Sequence, residues 1–231
     1  MEFSEVKRDC RFFKGHIPCK FNKLDGSVCG NCAHYQPLET RILIIKLAAL
    51  GDVIRTTPLL ALFRKKYPNA HITWMTQSPE ILPKEHIEQI LPFNAMSVFL
   101  LENSLFDVAV NLDKEAEACV LMAKIEAREK YGYTWEDHAV APCTSAAEHK
   151  LMTGFFDQLS KENTKSYLQE IFEICHASFN FEPYAIQLNQ AKYSHWKAIL
   201  DEKRDGKQVV GLNTGCGPRW NTRLWKDEYW V

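Results

Sequence analysis

Residues 44–58 read IIKLAALGDVIRTTP. A short apolar run rich in isoleucine meets a Gly-Asp pair, and helix-type sequence follows at once. Such a run suits a strand buried on both faces of a parallel sheet. Beyond the pair, Val53, Leu59, Leu60, Leu62 and Phe63 form a helical stripe that ends near Tyr67-Pro68. Pro58 interrupts it: either Thr57 caps a fresh helix with proline at its first position, or the helix kinks there. The junction is where other βα units often carry a glycine-rich phosphate loop. Here it carries Asp52, and that carboxylate has two readings. At a helix N-terminus it accepts backbone N–H bonds and favours the dipole, contributing about 0.5–2 kcal/mol. At the mouth of a sheet crevice it can act as a general base, provided one oxygen stays free for an incoming hydroxyl.

Outward from this unit the alternation continues. RILIIKL (41–47) and HITWM (71–75) read as strands, KEHIEQIL (84–91) as a helix, and SVFLL (97–101) and DVAVNL (107–112) as further strands. A helix is expected from Glu115 to Arg128, helical stripes over 145–179, and another helix over 190–203. Val209, Val210, Gly211 and Leu212 then read as a buried strand ending in a Gly-rich turn. Strands alternating with helices at this spacing predict an α/β doubly wound domain, whose ligands bind beyond the carboxyl ends of the strands. Asp52 and the stretch Asn111-Leu112-Asp113-Lys114 both lie at such ends, so one crevice is expected to hold them. The acidic group Asp113, Glu115 and Glu117 reads as a helix N-terminal turn or as part of that crevice.

The chain has 231 residues, 46% of them apolar and 25% charged, an ordinary globular composition. Its 28 Lys plus Arg against 29 Asp plus Glu give a formal charge of -1, so no electrostatic argument for nucleic acid exists. No apolar run approaches the ~18 residues of a membrane span, and MEFSEVKRDC is not a secretory leader, so a cytoplasmic location is expected. Residues 1–39 hold turn-forming Gly and Pro without a sustained period, and four of the eight cysteines. In a reducing compartment a disulfide framework is not expected there. Cys10, Cys19, Cys29 and Cys32 are spaced C-x8-C-x9-C-x2-C. Four thiolates in one short segment suit tetrahedral zinc, which would supply folding energy the segment lacks; an iron–sulfur cluster is the alternative. Cys119, Cys143, Cys175 and Cys216 are scattered and read as small apolar residues.

ILIIKLAALGDVIRTTPLLALFRKKYPNAHITWMT resembles the first βαβ unit of glycosyltransferase family 9, the lipopolysaccharide heptosyltransferases. FDVAVNLD is similar to the family's fourth-strand segment, and VVGLNTGCGPRWNTRLW to the strand and Gly-rich loop opening its donor-binding domain. The motifs fall in the family's order across residues 41–231. The resemblance implies a GT-B-like fold: a Rossmann-like acceptor domain over 40–185 and the start of a second Rossmann-like, nucleotide-sugar-binding domain over 186–231. It implies an inverting transfer without a catalytic metal, with Asp52 as the base. Gly51, Arg55, Asn111 and Asp113 would lie on the acceptor side, and Thr214, Gly215, Cys216, Gly217 and Arg223 on the donor phosphates.

The donor class so implied is a nucleotide-activated heptose, commonly ADP-linked. The acceptor is a lipid-linked core oligosaccharide at the inner face of the cytoplasmic membrane, where peripheral contact is expected. Two departures stand out. The family's later phosphate-binding loop has no counterpart before Val231, so a truncated donor domain and an inactive 231-residue form are expected. Arg55 stands where the family often has His. The rival reading is a non-catalytic binding protein that keeps the acceptor domain and a zinc module.

Overall fold

The computed structural model describes residues 2–212 and 224–229. The chain divides into two compact units, Met1–Gln187 and Leu188–Val231.

The first unit opens with a segment in which no residue from 2 to 39 is buried. Its helix, α1 (Lys20–Asp25), ends at Gly26 with φ 77°, the left-handed closure that glycine adopts without steric cost. The segment's two ends meet through a bridge between Cys10 and Pro37 and through Leu38 N–H, which donates to the Asp9 carbonyl at 2.6 Å.

β1 (Thr40–Ile45) runs into α2 (Leu50–Thr56) and α3 (Leu59–Lys66). Pro58 has no N–H to continue the first helix, so the path breaks there, and Thr57 donates its hydroxyl to the Ile54 carbonyl at 2.8 Å instead of capping α3. β2 (Ala70–Thr76) and β3 (Gln89–Pro92) follow, then α4 (Ala95–Glu102), β4 (Leu105–Asn111), α5 (Ala116–Lys124), β5 (Glu126–Glu136) and β6 (Ala139–Pro142). The sheet order is β3-β2-β1-β4-β5-β6. β1 to β5 are parallel, and β6 returns antiparallel on the edge. The chain turns back through Asp137 and His138 at φ 47° and 63°, the left-handed pair a tight hairpin demands.

Successive strand residues face opposite ways and fill two cores. Ile42, Ile44, Ile72, Trp74, Val108 and Val110 pack with Phe63 and Phe172 on one side. Leu43, Ile45, Met75 and Ala109 pack with Leu101, Leu121 and Met122 on the other. The first layer is completed by the helices α6 (Glu148–Phe155) and α8 (Tyr167–Ile174), with the exposed helix α7 (Asp157–Glu162) between them in sequence. α8 starts on a capping box: Ser166 accepts from Gln169 N–H at 3.2 Å, and the Gln169 side chain accepts from Ser166 N–H at 2.7 Å.

Four sequence-based expectations are corrected. Residues 84–91 do not form a helix; they reach β3 by way of Glu88, whose N–H donates to the Ile72 carbonyl at 3.1 Å. SVFLL is helical rather than extended, because Asn94 caps α4 by accepting from Ser97 N–H at 2.9 Å. The helix after β4 stops at Lys124, and the next residues form the long β5. Residues 209–212 are irregular and exposed, with no strand beside them among the described residues.

In the second unit the described structure is dominated by α9 (Gln190–Arg204), capped by Asn189, which accepts from Lys192 N–H at 3.0 Å. Tyr193, Trp196 and Leu200 of α9 line an open groove of about 580 Å³ with Leu188 and Val209.

Candidate functional site

β1 and β4 lie side by side, and the loops leaving their carboxyl ends form the edge where a Rossmann-type sheet binds ligands. Lys46, just past β1, is 4% exposed, and Asp113, just past β4, is 2% exposed. The Lys46 ammonium donates to the Asp113 carboxylate and, at 2.6 Å, to the Ala48 carbonyl. The other carboxylate oxygen accepts from Leu47 N–H. Burial pushes the Asp113 carboxyl above its ordinary value, against the opposing pull of Lys46 and the Leu47 N–H.

Asn111, fully buried, fastens the same loop from below. Its amide donates to the Tyr133 carbonyl at 2.8 Å and the Asp113 carbonyl at 3.1 Å, and its oxygen accepts from Asp113 N–H at 3.0 Å. Cys119 donates its thiol to the Asp113 carbonyl at 3.3 Å, and burial raises that thiol to about 12. It is a packed thiol rather than a reactive one. Asn111 and Asp113 are therefore buried beneath the loops leaving β1 and β4 and hold the two exits together.

Asp52 stands above them on the first turn of α2. The position before the helix is Ala49, and among the described residues the Asp52 carboxylate accepts no backbone hydrogen bond. Its side chain is 42% exposed and pairs with Arg55 at 3.5 Å. Gly51 beside it is exposed, and a Cβ there would meet nothing within 4 Å. That glycine is not required by backbone geometry, and it leaves the approach to Asp52 open. The capping reading of Asp52 thus loses its hydrogen bond and keeps the helix dipole alone.

A second set of residues reaches the same place from later in the chain. The Arg55 guanidinium lies over the Tyr167 ring, 3.7 Å from its centroid, and the Lys150 ammonium lies 5.3 Å from that centroid. Burial and the nearby Asp52 carboxylate hold the Tyr167 hydroxyl above its ordinary value. Lys150 donates at 2.6 Å to Glu170, which is 2% exposed and also accepts from Asn163 at 3.1 Å. Lys114 reaches α6, where a Cβ on Gly154 would fall 1.9 Å from its ammonium nitrogen. Burial and the neighbouring Lys150 hold the Lys114 ammonium below its ordinary value. The half-exposed Asp52 carboxylate is thus paired with Arg55, whose guanidinium shares the Tyr167 ring with Lys150, and Lys114 lies near Lys150. Cations in this part of the fold suit an anionic molecule.

Lys150, Tyr167 and Glu170 were not singled out by sequence reasoning; the Ser166–Gln169 capping box was the one legible signal that a helix begins beside them. Thr214, Gly215, Cys216, Gly217 and Arg223, expected on donor phosphates, lie outside the described residues.

Comparison with solved structures places the fold. A family 9 glycosyl transferase from Veillonella parvula matches with a TM-score of 0.56 at 19% identity, over 84% of this chain and 59% of that one. E. coli heptosyltransferase WaaC with ADP-2-deoxy-2-fluoro heptose matches with a TM-score of 0.41 at 15% identity, over 68% of this chain and 54% of that one. The E. coli ADP-heptose lps heptosyltransferase II matches with a TM-score of 0.44 at 14% identity, over 69% and 50%. This chain thus spans 50–59% of the length of these three structures. No family model matches it, and no curated protein does. The likeness to the Veillonella structure establishes the fold, a GT-B-like α/β arrangement of Rossmann type.

Proposed function

We propose that this protein is a glycosyltransferase of the family 9 kind, with the first unit as its acceptor half. The observation that carries the reading is the placement of Asp52. It sits on the ligand-binding edge of a Rossmann-type sheet, half exposed and without a backbone hydrogen bond among the described residues. The order of the sequence motifs and the likeness of fold support it.

In this reading Asp52 accepts the proton of an acceptor hydroxyl as that oxygen attacks the anomeric carbon of the donor sugar. The bond to the nucleoside diphosphate breaks on the opposite face, so the anomeric centre inverts. Arg55, Lys114 and Lys150 hold anionic groups of a lipopolysaccharide-type acceptor, phosphate or carboxylate. Asn111 and Asp113 act from beneath, fixing the loops that set the height of Asp52 over the sheet. The donor is a nucleotide-activated heptose, ADP-linked, held by Thr214, Gly215, Cys216, Gly217 and Arg223 of the second unit. No helix among the described residues is long and apolar enough to cross a membrane, so a lipid-linked acceptor would be met by peripheral contact.

The test is sugar transfer by the polypeptide at its full encoded length, from ADP-heptose to a phosphorylated core oligosaccharide on lipid. Transfer with inversion is expected. Failure to transfer from any nucleoside diphosphate sugar, with acceptor binding retained, would favour a binding protein instead.

A further inference from the structure

The four N-terminal cysteines have no part in the transfer just described. Cys10, Cys19, Cys29 and Cys32 nevertheless line one small cavity together, with Phe13 and Phe21. All four are free thiols and partly buried. In the conformation described, no group of three or more His, Cys, Asp or Glu side chains among the described residues is gathered closely enough to hold an ion. The cavity is small, about 30 Å³. Room for one water takes about 10–15 Å³, and pockets for organic ligands run to about 300–1,000 Å³. It can accept an ion and excludes a metabolite.

We infer that Cys10, Cys19, Cys29 and Cys32 close on a single Zn²⁺ as a four-thiolate structural site. Four Zn–S bonds form, the thiol protons leave to solvent, and no electron moves. The segment needs such a clip, because none of its residues from 2 to 39 is buried and its six-residue helix α1 is too short to persist alone. The cysteines come from separate turns, Cys10 beside the bridge to Pro37, Cys19 at the start of α1, and Cys29 and Cys32 at the two ends of one short turn. One ion would therefore tie these turns to one another. His34 lines the same cavity, but both nearby histidines already have partners. His34 contacts Asp25 at 2.8 Å and stacks on Phe21 with centroids 3.9 Å apart, and His16 contacts the Lys14 carbonyl at 2.8 Å.

The clip serves anchorage rather than chemistry. Arg11, next to Cys10, donates to Glu88 at 2.6 Å and to the Pro68 carbonyl at 3.3 Å, and its own carbonyl meets the His71 ring at 3.1 Å. Pro68 and His71 lie at the amino end of β2, the end of the parallel sheet away from Asp52.

Metal analysis of the protein purified without chelator tests this. The inference expects about one zinc per chain, lost in Cys29→Ser and Cys32→Ser and retained in Cys143→Ser and His34→Gln. Cobalt added to the stripped wild-type chain should give the visible absorption of a tetrahedral thiolate complex. A metal-free wild-type protein, bound iron with sulfide, or zinc unaffected by Cys29→Ser would overturn it, and zinc lost in His34→Gln would overturn the four-thiolate set.

Discussion

At the scale of single residues, the site separates into a carboxylate that faces solvent and a charge pair that does not. Lys46 and Asp113 are buried together, and each carries the other's countercharge. Removing one partner of such a pair costs about 3–5 kcal/mol, because the remaining charge is left uncompensated. Asp113→Ala is therefore expected to destabilise the protein by about that amount, read from the shift in a urea unfolding curve. A loss under about 1 kcal/mol would show that Lys46 finds water or another acceptor. Asp52 was legible in the sequence because its place depends only on a strand running into a helix. The burial of Asn111 and Asp113 was not, because strand-end residues read alike whether they face a crevice or staple two loops. Arg55 was legible as a cation and Tyr167 as a helix residue, yet their stacking joins distant parts of the chain, and no spacing reports it.

At the scale of elements, the agreement between β4 and β5 hangs on one glycine. Gly132 pairs with Asn111 in the register, with φ 92°, and a Cβ there would fall 1.8 Å from the Asn111 carbonyl oxygen. Both the backbone region and the overlap penalise a side chain, so Gly132→Ala is expected to cost about 2–4 kcal/mol. It should also loosen Asn111, visible as faster amide exchange at Asp113, whose N–H that side chain accepts. An unchanged exchange pattern would contradict this account of the β4–β5 contact. The parallel strands β1, β2 and β4 were readable because their apolar runs are flanked by helical sequence. β3 was not: its pairing depends on β2, while its own letters carry a helix-like period. α4 was misread for the opposite reason, since a short apolar run has no period and its Asn94 cap decided the matter. β5 carries exposed charges that blur its alternation, and β6, the four-residue edge strand Ala-Val-Ala-Pro, is too short to show one.

Across the first unit as a whole, the cysteine-rich segment and Asp52 belong to opposite ends of one sheet, and acid should separate them. Burial would push the Glu88 carboxyl up, but hydrogen bonds from Ile72 N–H, Arg11 and Arg64 outweigh it and hold the group below its ordinary value. Burial holds the His71 imidazole below its ordinary value as well. For both groups the unfolded chain binds the proton first as pH falls. Their stabilisation is full above the unfolded values, about 6.5 for His and 4.3 for Glu, and declines as pH drops through the lower folded ones. Both meet Arg11, so protease protection of residues 2–39 is expected to fade as pH falls from about 6.5 to about 3 while the sheet persists, the Glu88 share going only below about 4.3, and Glu88→Gln should flatten that lower limb. Protection unchanged over that range would contradict the anchoring role of Arg11. The central claim concerns the other end, and one substitution tests it most directly. Asp52→Asn keeps the shape of the side chain and removes its capacity to take a proton. With the polypeptide at its full encoded length, the turnover rate is predicted to fall by roughly 10²–10⁴ while acceptor affinity changes little. Near-normal turnover in Asp52→Asn would reduce this carboxylate to a charge at a helix end and contradict the account.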